Sequence, residues 1–203
     1  MGIKTLAVLF LFAPATLVRG ADASMSTEER AHVLKLLEDS RAEFLSYVEN
    51  VSEAQWTWKA APDRWSVGET AEHIVLAEGG LFGRMKVALD AAPNPDWEKK
   101  TAGKTEFLER VLVDRSGKAV APEQIRPRGL SKDEVISRYK EARAKTIAFA
   151  QDTQILLKEH TSEHPFPIFN TLNAYQWLLY IPLHNLRHDQ QIAEVKASPG
   201  YPK

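Results

Sequence analysis

His184 and His188 stand four residues apart, so on a helix they lie one turn above each other on one face. Two imidazoles placed this way can chelate a single divalent ion. By helical spacing Asn173, Trp177, His184, His188 and Gln191 fall close to one stripe, which turns the pair toward the side that Trp177 should bury. Neutral imidazoles in a core without partners would be poorly satisfied, and a metal resolves that. The spacing is weak on its own. His73 strengthens it, being the other histidine set well inside a bundle-length helical stretch. Three imidazoles leave coordination positions for water or substrate, the pattern of a catalytic ion rather than a structural one. Such an ion keeps its charge of two and can polarise a carbonyl or lower the pKa of a bound water or thiol. A buried His73 held by a neighbour's hydrogen bond is the alternative.

Other pairings are less suited to that chemistry. His160 and His164 repeat the four-residue spacing, but Pro165 disfavours helical geometry at His164. His160 then reads as a cation near a helix C-terminus, while His164 could reach the site from its loop. His32, beside Glu28 and Glu29, reads as solvated. Glu29-x-x-His32 is half of a di-iron carboxylate motif whose second half is absent from the sequence. A zinc-protease reading needs a glutamate after the first histidine, and that position is Asn185. Glu69, Asn173 and Gln191 are the residues expected around the ligands: Glu69 could accept the second ring proton of His73, although a helix-capping role competes, and Asn173 and Gln191 could hold a metal-bound water or each other. No residue stands out as a general base. Trp56, Trp58 and Trp65 are expected to staple a helix corner rather than to bind ligand.

These side chains need helices to hold them. Ser26-x-x-Glu29, Ser66-x-x-Glu69 and Ser131-x-x-Glu134 each read as a capping box, and apolar residues at helical spacing follow each one. The first helix carries Val33, Leu36, Leu37, Phe44 and Val48. The second carries Val67, Ala71, Ile74, Leu81 and Met85, and the third Val135, Tyr139, Ala142, Ile147 and Ala150, then Ile155 and Leu156. A fourth runs from near Thr171 to about Ala197, with Pro182 expected to bend it just before His184. The pattern predicts an all-α four-helix bundle with almost no period-two alternation. A long connection, Ala91 to Leu130, joins helices two and three. It holds a predicted short helix at Thr105 to Leu112 and a small hairpin at Val113 to Val120. A loop of this length usually crosses over a bundle or covers a site.

The 203 residues suit one domain, and a formal net charge of -1 supplies no field for nucleic acid or an anionic membrane. There are no cysteines, so disulfides, thiolate ligands, cysteine nucleophiles and a lipoprotein anchor are excluded. Lys4, the apolar run Leu6 to Val18 and the small-x-small pattern Ala21-Asp22-Ala23 predict a signal peptide over residues 1–23, cleaved near Ala23, with an uncleaved anchor as the alternative. The expected mature domain is then 24–203, exported to the periplasm or medium and free of the membrane.

Two blocks carry a family resemblance. One is Gln55-Trp56-Thr57-Trp58-Lys59, Pro62 and Trp65-Ser66-Val67-Gly68-Glu69 leading to Glu72-His73-Ile74. The other is Leu172-Asn173-Ala174-Tyr175-Gln176-Trp177-Leu178-Leu179, followed by His184-Asn185-Leu186-Arg187-His188-Asp189-Gln190-Gln191-Ile192. Together they resemble the DinB/YfiT-like superfamily over essentially the whole mature chain. The resemblance implies a four-helix bundle of that type with one long crossover, and a divalent metal on His73, His184 and His188. It implies zinc or nickel first, with iron or manganese as further candidates. It also implies a metal-dependent hydrolase or transferase acting on a small molecule, with a homodimer left open. Some relatives use low-molecular-weight thiols, which are scarce outside the cytoplasm, so export argues against that chemistry here. The competing expectation is a non-catalytic bundle that uses the ion for stability or to hold a ligand.

Overall fold

The computed structural model describes residues 23–117 and 120–203; the expected signal peptide, apart from Ala23, lies outside the described residues. Four long helices form the body: α1 (Thr27–Val48), α3 (Val67–Asp90), α6 (Lys132–Asp152) and α7 (Ala174–Lys196). Three short ones, α2 (Glu53–Thr57), α4 (Trp97–Thr101) and α5 (Lys104–Leu112), lie in the connections. An antiparallel hairpin of β1 (Thr161–Glu163) and β2 (Thr171–Asn173) leads into α7, with Ser162 opposite Leu172.

The helix starts follow from capping chemistry. Ser26 and Ser66 make full capping boxes with Glu29 and Glu69. At Ser131 the hydroxyl accepts from the Glu134 amide, but the Glu134 carboxylate turns to Arg138 instead of closing the box. Ser52 and Gln55 form a further box that starts α2, a signal present in the sequence as Ser-x-x-Gln. The fourth long helix begins at Ala174 rather than near Thr171, because Asn173 is its N-cap and Thr171–Asn173 pair with β1. The third ends at Asp152: Thr153 is extended, and Ile155 and Leu156 lie beyond it. The expected hairpin at 113–120 is not formed over the described residues 113–117; there the Asp114 carboxylate accepts from the Ser116 amide and hydroxyl and makes a local turn. The helix expected at Thr105 to Leu112 is α5.

The interior is two apolar clusters with a polar layer between them. One cluster gathers Leu37, Met85, Leu108, Ile147, Trp177 and Leu178; the other gathers Phe44, Val67, Ile74, Val135, Tyr139 and Ile192. Between them Arg143 of α6 is wholly buried and grips Glu78 of α3 with two bonds of 2.8 and 3.0 Å. Its guanidinium also donates to the Leu37 carbonyl and Ser40 hydroxyl of α1 and to Asn185 of α7, at 2.7, 2.6 and 2.7 Å. One side chain thus ties all four long helices at the level where α7 carries its histidines. A buried ion pair of this kind favours one helix register when every donor is used, as here.

Candidate metal centre

His73 comes from the end of the second turn of α3. The Ser66–Glu69 box fixes where that helix starts, and Gly68 lets it approach α2 closely: a Cβ there would lie 2.5 Å from the Trp56 indole nitrogen. His184 and His188 come from α7, which packs along α3 and runs unbroken through Pro182. The ring centroids lie 5.2 Å (73–184), 4.5 Å (73–188) and 4.5 Å (184–188) apart, and one nitrogen from each ring falls within 4.8 Å of the others. His73 is buried and His188 nearly so, while His184 keeps partial exposure. Two of the three rings are thus turned inward, as the Trp177 stripe suggested, and His184 reaches partly toward the surface.

The hydrogen bonds fix the protons. His73 Nδ1 lies 2.8 Å from the Ile125 carbonyl, which only accepts, so Nδ1 carries the hydrogen. His188 Nδ1 lies 2.9 Å from Gln191 Oε1, which also accepts from Arg115, so here too Nδ1 is the donor. Burial holds His73 below the ordinary imidazole range and His188 down at about 3. Burial, and then the neighbouring His188 and His73, hold His184 well below that range. All three rings are therefore neutral near pH 7. The consequence is chemical: His73 Nε2 and His188 Nε2, 3.2 Å apart, are both bare lone pairs with no proton between them. Facing lone pairs repel. A cation between them turns that repulsion into coordination, so the residues present fit a divalent metal and its preference for neutral imidazole.

No fourth His, Asp or Glu joins the group among the described residues. Glu72 spends both oxygens on the amides of Arg128, Gly129 and Leu130. Asp189 turns to Asn185 inside the core, and burial raises its carboxyl to about 8. His164 stacks on Trp177 and Tyr180, its Nδ1 accepting from the Phe166 amide. Asn185, at the position of a protease glutamate, is buried against Arg143 and Tyr139.

Of the residues expected around the ligands, Gln191 bonds His188. Glu69 bonds Ser66 and Lys59, so the acceptor for His73 is a backbone carbonyl from the crossover instead. Asn173 caps α7 and bonds Thr101, away from the histidines. Trp56 and Trp58 do pack the helix corner, against Gly68 and Tyr201. Trp65 instead lies 4.9 Å from the His73 ring, half-buried beside the site. His160 bonds the Ala91 carbonyl at the end of α3, and His32 pairs with Glu109 of α5 rather than standing free. Ile125 and Arg115 carry no signal in the sequence, and Glu72, though part of the motif ahead of His73, gives no hint of its partners, since these roles depend on where a long connection lands.

The family model of the DinB superfamily matches residues 36–192. The uncharacterized protein YuaE of Bacillus subtilis (strain 168) is 26% identical over 167 residues, 80% of this chain and 96% of that protein. Among solved structures, YfiT from Bacillus subtilis superposes with a TM-score of 0.59 at 14% identity, covering 88% of this chain and 92% of its own. It is described as "a probable metal-dependent hydrolase with an unusual four-helix bundle topology", and the fold is shared. With the model matched across all four long helices and all three histidines, the chain belongs to the DinB superfamily.

Proposed function

We propose that this protein is an exported metal-dependent hydrolase acting on a small molecule, with His73, His184 and His188 holding a zinc or nickel ion. The observation that carries the reading is the cluster itself: one nitrogen from each of the three rings lies within 4.8 Å of the others, with His73 Nε2 and His188 Nε2 3.2 Å apart and no carboxylate completing the group among the described residues. The description of YfiT as a metal-dependent hydrolase supports the same reaction class.

Bound there, a divalent ion would supply Lewis acidity and a water of lowered pKa. The chain's own contribution is positional. Ile125 and Gln191 hold the ring protons on Nδ1, so each Nε2 presents a lone pair in a fixed direction. Because all three donors are neutral, they would leave the full charge of such an ion to polarise a bound water. Trp65, half-buried beside His73, supplies aromatic surface next to the site for an apolar part of the substrate.

Elemental analysis of the native protein beside a His188→Ala variant tests the site. A stoichiometric metal in the first and its loss in the second are expected; equal content in both would sink the reading. N-terminal sequencing of protein recovered outside the cytoplasm tests export, with a mature start near residue 24 expected and an intact Met1 refuting it.

A further inference from the structure

The crossover between α3 and α6 touches the metal-bearing helices at the ligands themselves. On α3, His73 donates from Nδ1 to the Ile125 carbonyl. Its neighbour Glu72, 2% exposed, accepts three consecutive amides, those of Arg128, Gly129 and Leu130, at 2.7, 2.9 and 3.1 Å. Gly129 has a φ of +89°, a conformation natural to glycine that lets successive amides converge on one anion. On α7, Arg115 pairs with Glu194 through two bonds of 2.7 and 2.8 Å and donates at 3.3 Å to the Gln191 oxygen that holds His188. Arg187, between the two α7 ligands, donates back to the carbonyls of Asp114 and Gly117.

Each side of this contact has the same chemical effect. The Ile125 carbonyl puts the His73 proton on Nδ1. Arg115, by fixing which face of the Gln191 amide is oxygen, does the same for His188. Glu72 holds the 125–130 segment where that carbonyl can reach. If the crossover left, His73 would lose its acceptor and Gln191 would be free to flip, and either ring could take the tautomer whose Nε2 bears hydrogen and cannot bind an ion.

We infer that the crossover is a strap coupled to the metal centre, with Glu72 and Arg115 as positioning residues that orient the Nε2 donors of His73 and His188. The inference rests on the metal reading above, though not on hydrolysis. Coupling is reciprocal: if docking of the strap strengthens metal binding, metal binding strengthens docking by the same factor. A helix-packing role alone would not make the strap respond to the ion.

The test uses the full chain and zinc or cobalt(II) as the probe. Affinity is read by competition with a chelator, coordination by the visible spectrum of the cobalt form, and docking by hydrogen exchange at the amides of residues 128–130. Glu72→Gln and Arg115→Ala are expected to weaken metal binding by about 10–100-fold, the usual loss when an outer partner of a ligand is removed, and to alter the cobalt spectrum. Ser26→Ala, which weakens the cap of α1 away from the strap, should leave affinity unchanged. In the unsubstituted protein, saturating zinc should slow exchange at 128–130. Unchanged affinity in both strap variants, or exchange at 128–130 that ignores zinc, overturns the coupling while leaving the metal centre intact. A wild-type chain that takes up neither ion overturns both.

Discussion

Replacing Arg143 by Met removes the centre of the buried polar layer and keeps most of its volume. In the native protein the guanidinium makes five bonds, two of them to Glu78, and neither residue is more than 2% exposed. In Arg143→Met the Glu78 carboxylate keeps only the Thr146 hydroxyl at 3.1 Å, so a charge is left in the core with one neutral donor. Breaking a buried pair from one side costs about 3–5 kcal/mol, a large part of the ~5–15 kcal/mol that holds a domain of ordinary stability together. Urea denaturation reads this directly: with a slope of about 2 kcal/mol per molar, a loss of about 4 kcal/mol moves the midpoint down by about 2 M. The paired change Glu78→Leu with Arg143→Met separates charge from packing. Removing both charges should recover most of the loss, because a buried ion pair is worth little net against apolar groups of similar size. If Arg143→Met costs under about 1 kcal/mol, or the double variant is no more stable than the single, the polar layer does not hold the helices as described.

Other outcomes follow from the same structure. Gly68→Ala forces the Trp56 indole to move and should cost about 1–3 kcal/mol as overpacking, with a change in tryptophan emission; a neutral result would mean α2 is free to shift. Burial lowers His164 to about 4, so its neutral form is favoured by folding. The stability it contributes is complete above pH ~6.5 and is lost as pH falls from there through about 4, at about 1.4 kcal/mol per pH unit. Comparing metal-free wild type with His164→Phe in urea at pH 7 and pH 5, the wild type should lose about 2 kcal/mol more than the variant on acidification; parallel losses would refute this. Stripping metal with a chelator should lower the melting temperature, since an ion at about 100 times its Kd stabilises by about 2.7 kcal/mol, or about 5–10 °C for a chain of this size. An unchanged melting temperature would count against a folded-state metal site.

Much of the fold is legible in the sequence, because its signals are local. Serine three residues ahead of glutamate marks a helix start wherever it occurs, and a four-residue histidine spacing puts two rings on one face of any helix. Those rules placed the starts of three of the four long helices and paired His184 with His188, while apolar periodicity supplied the fourth helix and set His73 within α3. Where a stronger local partner existed the rules failed. Glu134 pairs with Arg138, and Asn173 serves as a cap instead of reaching the site.

What the sequence by itself determined is the candidate histidines and the helices that carry them, since periodicity and capping act within a few residues. Only the tertiary structure decided the protons. Ile125 reaches His73 from 52 residues away and Arg115 reaches Gln191 from 76, and no local pattern encodes where a long connection comes to rest. The buried Glu78–Arg143 layer belongs with these, because a charged residue reads as surface until its partner on another helix is known. Which nitrogen of each ring holds hydrogen is set by those distant partners, and that turns three histidines into a place for an ion.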